Sequence, residues 1–220
     1  MFDQTIINMI IDGFWDSIYM TLVSTLFAYV IGLPLGIILV VTDKDGIKPI
    51  PWLNGILGVI INVLRSVPFL ILLITIIPFT RWVTGTSIGT TATIVPLVVA
   101  AAPFIARVVE SSLKEVDKGV IEAAQSMGTS TFQIIYKVLL PESLPSLIVG
   151  GALAVTTILS YSALAGFTGG GGLGDIAIRY GYNRYQTDIM LVTVALLVVI
   201  VQILQEVGMK LSKAFDKRRR

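Results

Sequence analysis

Glu122-Ala-Ala-Gln-Ser-Met-Gly128-Thr-Ser-Thr-Phe-Gln-Ile-Ile-Tyr-Lys-Val-Leu-Leu-Pro141 is the one polar segment inserted into an otherwise apolar chain. Its start and stop signals predict two short helices. Asp117 is placed as an N-cap for a first helix over 118–127, and Gly128 stands where a helix end needs a residue that tolerates a left-handed turn. Ser130 opens Ser-Thr-Phe-Gln, a capping box with Gln133 at the third helical position, so a second short helix is predicted to run to about Leu139. Pro141 and Pro145 are expected to bend the chain into the next apolar run, because proline is disruptive beyond a first turn.

Around this segment the chain is built for lipid. Of 220 residues 55% are hydrophobic and the mean hydropathy is +0.86, far too apolar for a soluble domain of ordinary composition. With no cysteine and no histidine, disulfides, thiol chemistry and the commonest metal ligands are excluded. The first residues carry Asp3, Asp12 and Asp16 without Lys or Arg, so they lack the basic start of a cleaved leader, and the first helix is expected to remain in the mature protein.

A spanning helix needs about 20 largely apolar residues. Five runs approach or exceed that, at 17–41, 53–79, 88–109, 144–167 and 189–207. The first holds Gly32-Leu-Pro-Leu-Gly36, a small-xxx-small pair suited to close helix contact. The second is interrupted by Arg65-Ser66-Val67-Pro68, where Pro68 removes a backbone donor. Pro96 and Pro103 fall in the third, and Gly150, Gly151, Ala152 and Ala154 make the fourth rich in small residues.

Orientation follows from the basic residues. With the N-terminus outside, the inner segments hold twelve: Lys44, Lys48, Arg107, Lys114, Lys118, Lys137, Lys210, Lys213, Lys217, Arg218, Arg219 and Arg220. The outer segments hold three, Arg81, Arg179 and Arg184, and Arg65 stays within the second run. The expected fold is therefore an all-α membrane protein, a single domain over 1–220 with five transmembrane helices, N-terminus outside and C-terminus inside. The 117–141 loop is then cytoplasmic. The tail Lys217 to Arg220 reads as a topology anchor meeting anionic headgroups, and nothing points to nucleic acid.

The spacing Glu122-Ala123-Ala124, three residues, Gly128, nine residues, Val138, one residue, Leu140-Pro141 resembles the coupling motif of bacterial ABC importer permeases. Its one departure is Val138 where the family has Ile. The run Arg65-Ser-Val-Pro-Phe69, the segment Ala102-Pro-Phe-Ile-Ala-Arg107 and the cluster Gly169 to Gly174 extend the likeness to methionine-uptake permeases over nearly the whole chain. The resemblance implies a coupling helix docked in a cleft of a cytoplasmic ABC ATPase dimer, with ATP and Mg bound by that partner and no cofactor in this chain. It also implies residence in the bacterial inner membrane and a binding protein that delivers methionine from outside. On the motif alone, Glu122-Ala-Ala followed by Gly128 is also an ordinary helix start and cap.

The remaining candidates are weighed on their chemistry. An ionisable group inside a spanning run is a functional candidate by default, so Arg65, Ser66 and Pro68 are expected to form a gate or pathway lining, or else Arg65 snorkels to the inner headgroups. Ser160, Tyr161 and Ser162 are candidates for the pathway wall, or for interhelical packing. Five spans are few to enclose a passage, so a second copy is expected. No Asp or Glu is expected to face the membrane interior, and no Gly-x-x-x-x-Gly-Lys-Ser/Thr loop is present, so the energy should come from a separate ATPase. The Gly169 to Gly174 cluster is read as a flexible or tightly turning external loop, and Tyr180, Tyr182, Asn183, Arg184 and Tyr185 as a binding-protein contact or an aromatic belt. Competing classes are a self-contained carrier or channel, an importer of another amino acid such as glutamine, a membrane scaffold without transport, and an intramembrane enzyme, for which the residues are poorest.

Overall fold

The computed structural model describes residues 3–215. The four tail residues Lys217 to Arg220 lie outside that range. Ten α-helices make up the described chain, with no strand among them. In order they are α1 (Gln4–Thr42), α2 (Pro51–Ser66), α3 (Phe69–Thr75), α4 (Ile77–Thr84), α5 (Thr90–Lys114), α6 (Lys118–Ser126), α7 (Thr131–Ile134), α8 (Leu140–Ala165), α9 (Gly172–Ile176) and α10 (Thr187–Phe215). Four helical stretches are long and apolar enough to cross a membrane, or five if the bent pair α2 and α3 is one span.

The seam between α1 and α5 is set by small residues. A Cβ on Gly32 would stand 2.8 Å from the Ala102 carbonyl, and one on Gly36 would stand 2.7 Å from that of Ala106. Only glycine lets these backbones approach so closely, and without a hydrophobic drive between helices in lipid this contact is what packs them. Ile105, Val109 and Leu113 of α5 and Ile158 of α8 fill the adjoining core with Met20 of α1, all essentially inaccessible. Small residues also join α10 to α8, where Gly208 lies on Ala152. A second apolar cluster joins Ile10 of α1, Leu159 of α8, Leu173 of α9 and Ile200 of α10.

Two helices take other bounds than expected, and one expected break is made. The first apolar run is set at 17–41, yet the helix that carries it, α1, begins at Gln4, because Ile6, Ile10 and Phe14 continue the helical stripe and pack on the second cluster. The interruption expected in the second run is present: α2 and α3 diverge by 99° at Val67-Pro68, where the missing proline donor ends α2. The short helix beginning at Thr131 does not stop at Leu139. It continues through a π-helical turn, Ile135–Leu139, into α8, so that Pro141 and Pro145 lie near the start of α8. In that turn the Leu140 N–H reaches back to Ile135 O, and the widened turn absorbs a proline that an α-helix interior would reject.

Candidate coupling and pathway sites

Both predicted caps of the 117–141 loop are made. Asp117 Oδ1 accepts from Gly119 N at 2.7 Å, and the Ser130–Gln133 box closes in both directions. Between them α6 ends in a Schellman motif: Thr129 N donates to Ala124 O and Gly128 N to Gln125 O, with Gly128 at φ +74°. These bonds satisfy the last carbonyls of a nine-residue helix too short to be stable alone. Ala124 supplies the anchor, being buried in the same cluster as Leu113, Val116, Ile134 and Leu139. Glu122, Ala123, Gln125 and Gly128 are exposed, and Met127 is 78% exposed. The α6 helix thus turns one alanine inward and offers a short polar and small-residue face outward. Leu140 is half-buried at the head of α8 and Pro141 is exposed beside it.

A polar chain ties this end of the bundle together. Asp43, just past α1, pairs with Lys114 at 2.7 Å; Lys114 also meets Glu110 at 2.9 Å; Glu110 holds Arg107 at 2.6 Å. Arg107 then donates to Gly58 O at 3.1 Å and to Asn62 Oδ1 at 2.9 Å, both on α2. The chain therefore runs from the end of α1, along α5, to the middle of α2. Beside it a cavity of about 390 Å³ is lined by Asp43, Lys114, Lys118, Glu122 and Gln125 among others, between α6 and the helix ends. Sequence reading missed this network, because its members are single charges at helix ends whose pairing depends on tertiary proximity.

The hydrogen bond from Lys114 holds the Asp43 carboxyl below its ordinary 3.8. A depressed carboxylate stabilises the fold above its unfolded value, and that contribution is lost as pH falls through the folded value. Detergent-purified protein is expected to lose thermal stability on acidification below about pH 4, and Asp43→Asn to show a flatter profile with lower stability near neutrality. Indistinguishable pH profiles for the two proteins would remove the Asp43–Lys114 tie as a stabilising contact.

The pathway candidates separate. Arg65 is exposed in the last turn of α2, Ser66 ends that helix with its hydroxyl on Asn62 O at 2.8 Å, and Pro68 forms the break. Across from them Tyr161 stacks on Phe69, with ring centroids 4.5 Å apart and planes 1° from parallel. Arg65, Phe69 and Tyr161 line one cavity of about 120 Å³ with Phe104. Neither Ser160 nor Ser162 lines that cavity. Ser160 is exposed and bonded to Thr156 O, whereas Ser162 is buried and bonded to Leu159 O, so its surroundings support packing within the core.

Residues 32–220 match the family described as the binding-protein-dependent transport system inner membrane component. The chain belongs to that family. It is accordingly a multi-pass inner-membrane component of a binding-protein-dependent transport system. Among relatives of this inner-membrane component, the probable D-methionine transport system permease protein MetI of Vibrio cholerae is 49% identical over 211 residues, covering 96% of this chain and 94% of its own. The methionine import system permease protein MetP of Bacillus subtilis is 42% identical, with 82% of each chain covered. Among solved structures, an inward-facing conformation of the MetNI methionine ABC transporter superposes with a TM-score of 0.97 at 44% identity, covering 98% of this chain and 100% of that one.

In this inner-membrane component the glycine cluster is a packed element and not a slack loop. Gly171 and Gly172 take φ near +80° and turn the chain into α9, whose Leu173 N–H donates to Ser17 Oγ at 2.8 Å. Asp175 is 3% exposed and paired with Arg179, an acid buried in the bundle that sequence reading did not foresee. It lies with Asp12 and Asp16 around an open cavity at the end of the bundle opposite α6. Arg184 sits over the Tyr180 ring at 4.4 Å, while Tyr182 and Tyr185 are exposed.

Proposed function

We infer that this chain is the permease of an ATP-driven, binding-protein-dependent importer of methionine, working as a homodimer with two copies of a cytoplasmic ABC ATPase. The observation that carries the mechanism is α6: a helix capped at both ends, anchored by Ala124, with Glu122, Ala123 and Gly128 free to meet another protein. The relatives and the MetNI structure support methionine as cargo. The proposed topology counts α2 with α3 as one span, giving five, with the N-terminus outside and the α6 loop in the cytoplasm, in keeping with the basic residues.

ATP and Mg bind the ATPase, whose closure moves α6. Because α6, α7 and the heads of α5 and α8 share one apolar cluster, the motion passes to the membrane helices as rigid-body switching between two states. The Arg107 chain extends the same displacement to the middle of α2, the helix that ends at the Pro68 break. Selectivity rests first with the binding protein outside, so the passage itself needs only weak affinity.

The test is radiolabelled methionine uptake into proteoliposomes holding this chain, its ATPase and its binding protein. Uptake should require ATP on the ATPase side and be outcompeted by excess methionine. Uptake that continues without ATP or ATPase would make the chain a self-contained carrier. ATP-dependent uptake of glutamine in place of methionine would keep the importer and change its cargo.

A further inference from the structure

Two arginines lie within apolar helices, Arg65 on α2 and Arg107 on α5, and they differ in one respect. Arg107 is held through both terminal nitrogens, with Glu110, Gly58 and Asn62 around it. Arg65 has no ion pair and no hydrogen bond to any of the described residues. It sits fourteen residues beyond Pro51, about 21 Å along α2 at 1.5 Å per residue, with apolar residues before it in α2 and after it in α3. A charge kept there without a partner is expensive, and a pathway group is the usual reason for it.

We propose that Arg65 is the carboxylate clamp of a substrate site inside the permease, and that the stacked rings of Phe69 and Tyr161 receive the apolar thioether side chain. The proposal rests on the methionine reading above and adds the recognising groups. A free amino acid presents a carboxylate that a guanidinium fork can hold with two parallel hydrogen bonds. A thioether sulfur is favoured about 5 Å from an aromatic ring, often at its edge, and the Phe69–Tyr161 pair with Phe104 offers such edges around a cavity of about 120 Å³. The charge and the Phe69 ring stand on opposite sides of the Val67-Pro68 break, Arg65 in the last turn of α2 and Phe69 at the start of α3, with Tyr161 facing them from α8. A change in the 99° bend therefore alters the distance between the two halves of the site, so affinity is tied to conformation.

Equilibrium binding of radiolabelled methionine to the detergent-purified permease–ATPase complex, without binding protein, tests this. Any methionine site on the ATPase contributes equally to every permease variant and cancels in the comparison. Arg65→Gln is expected to weaken the permease-dependent binding about tenfold or more, the loss of a charge-assisted pair. Arg65→Lys should recover part of it, keeping the charge without the fork. Methioninamide, which lacks the carboxylate, should compete weakly against wild type and be indifferent to Arg65→Gln. Phe69→Ala should reduce the preference for methionine over alanine. Co-elution of each variant with the ATPase establishes assembly. The clamp is overturned if wild type and Arg65→Gln bind alike, if wild type shows no saturable permease-dependent binding, or if methionine and methioninamide lose equally. Wild-type uptake in the transport assay separates the two readings: its presence with unaltered Arg65→Gln binding sinks the clamp alone, and its absence sinks the methionine importer as well.

Discussion

Replacing Gly128 with Trp is expected to lower ATP-dependent methionine uptake to roughly one-thirtieth of wild type or less, the effect of losing an interface contribution of about 2 kcal/mol, while the membrane helices stay assembled. The chain itself offers no steric objection, since a Cβ at Gly128 meets no atom within 4 Å. A residue with a side chain at φ +74° carries a local strain of about 1–2 kcal/mol, confined to the end of α6. An indole there projects beside the exposed Met127, on the face proposed above to meet the ATPase. Gly128→Ala isolates the backbone strain and should keep most of the uptake. Wild-type uptake from Gly128→Trp, with the protein inserted and bound to its ATPase, would show that this face is not the coupling surface.

Gly36→Leu should have the largest effect on stability. The nearest atoms to the added Cβ include the Ala106 carbonyl at 2.7 Å, which is backbone and cannot rotate away, as well as Val109 at 2.6 Å. Overpacking of this kind costs about 3 kcal/mol or more, and here it must open the seam between α1 and α5. The expected result is a sharply lowered thermal midpoint in detergent, or no monodisperse protein. Gly55→Leu is the control, because nothing lies within 4 Å of its Cβ, and it should behave as wild type. Equal stability of the two variants would contradict the close approach of the helices.

What the sequence disclosed and what it hid divide along the distance between interacting residues. Asp117, Gly128 and the Ser130–Gln133 box act within one turn of their own position, so capping rules located them and both caps are formed. The Gly32–Gly36 pair announced a close contact but not its partner. The membrane character was legible from hydropathy, since lipid admits few alternatives to helices. The α9 turn was not: it depends on Ser17 meeting Leu173 across 156 positions, a contact that no local pattern encodes. Arg65 was conspicuous as a charge, yet its cavity needs Tyr161 from a different helix. The proline rule misled at Pro141 because a π-helical turn supplied the slack that a regular helix lacks. Likewise the apolar run alone set a start at Ser17, whereas α1 begins at Gln4 because a helix can carry Asp12 and Asp16 on one side while Ile10 and Phe14 pack on the other.

The uninterrupted path from the loop into the membrane sets the gearing of the machine. Residues Thr131–Thr168 form one helical rod of 38 residues. At 1.5 Å per residue the rod is about 57 Å long, so a tilt of about 10° around one end carries the other through about 10 Å. Its irregular turns, π-helical over Ile135–Leu139 and 3-10 over Gly166–Thr168, leave the backbone helical from one end to the other. A small angular step at the foot of the rod is thereby delivered at its head as a displacement as wide as a side chain is long, and the ratio between them is fixed by length alone.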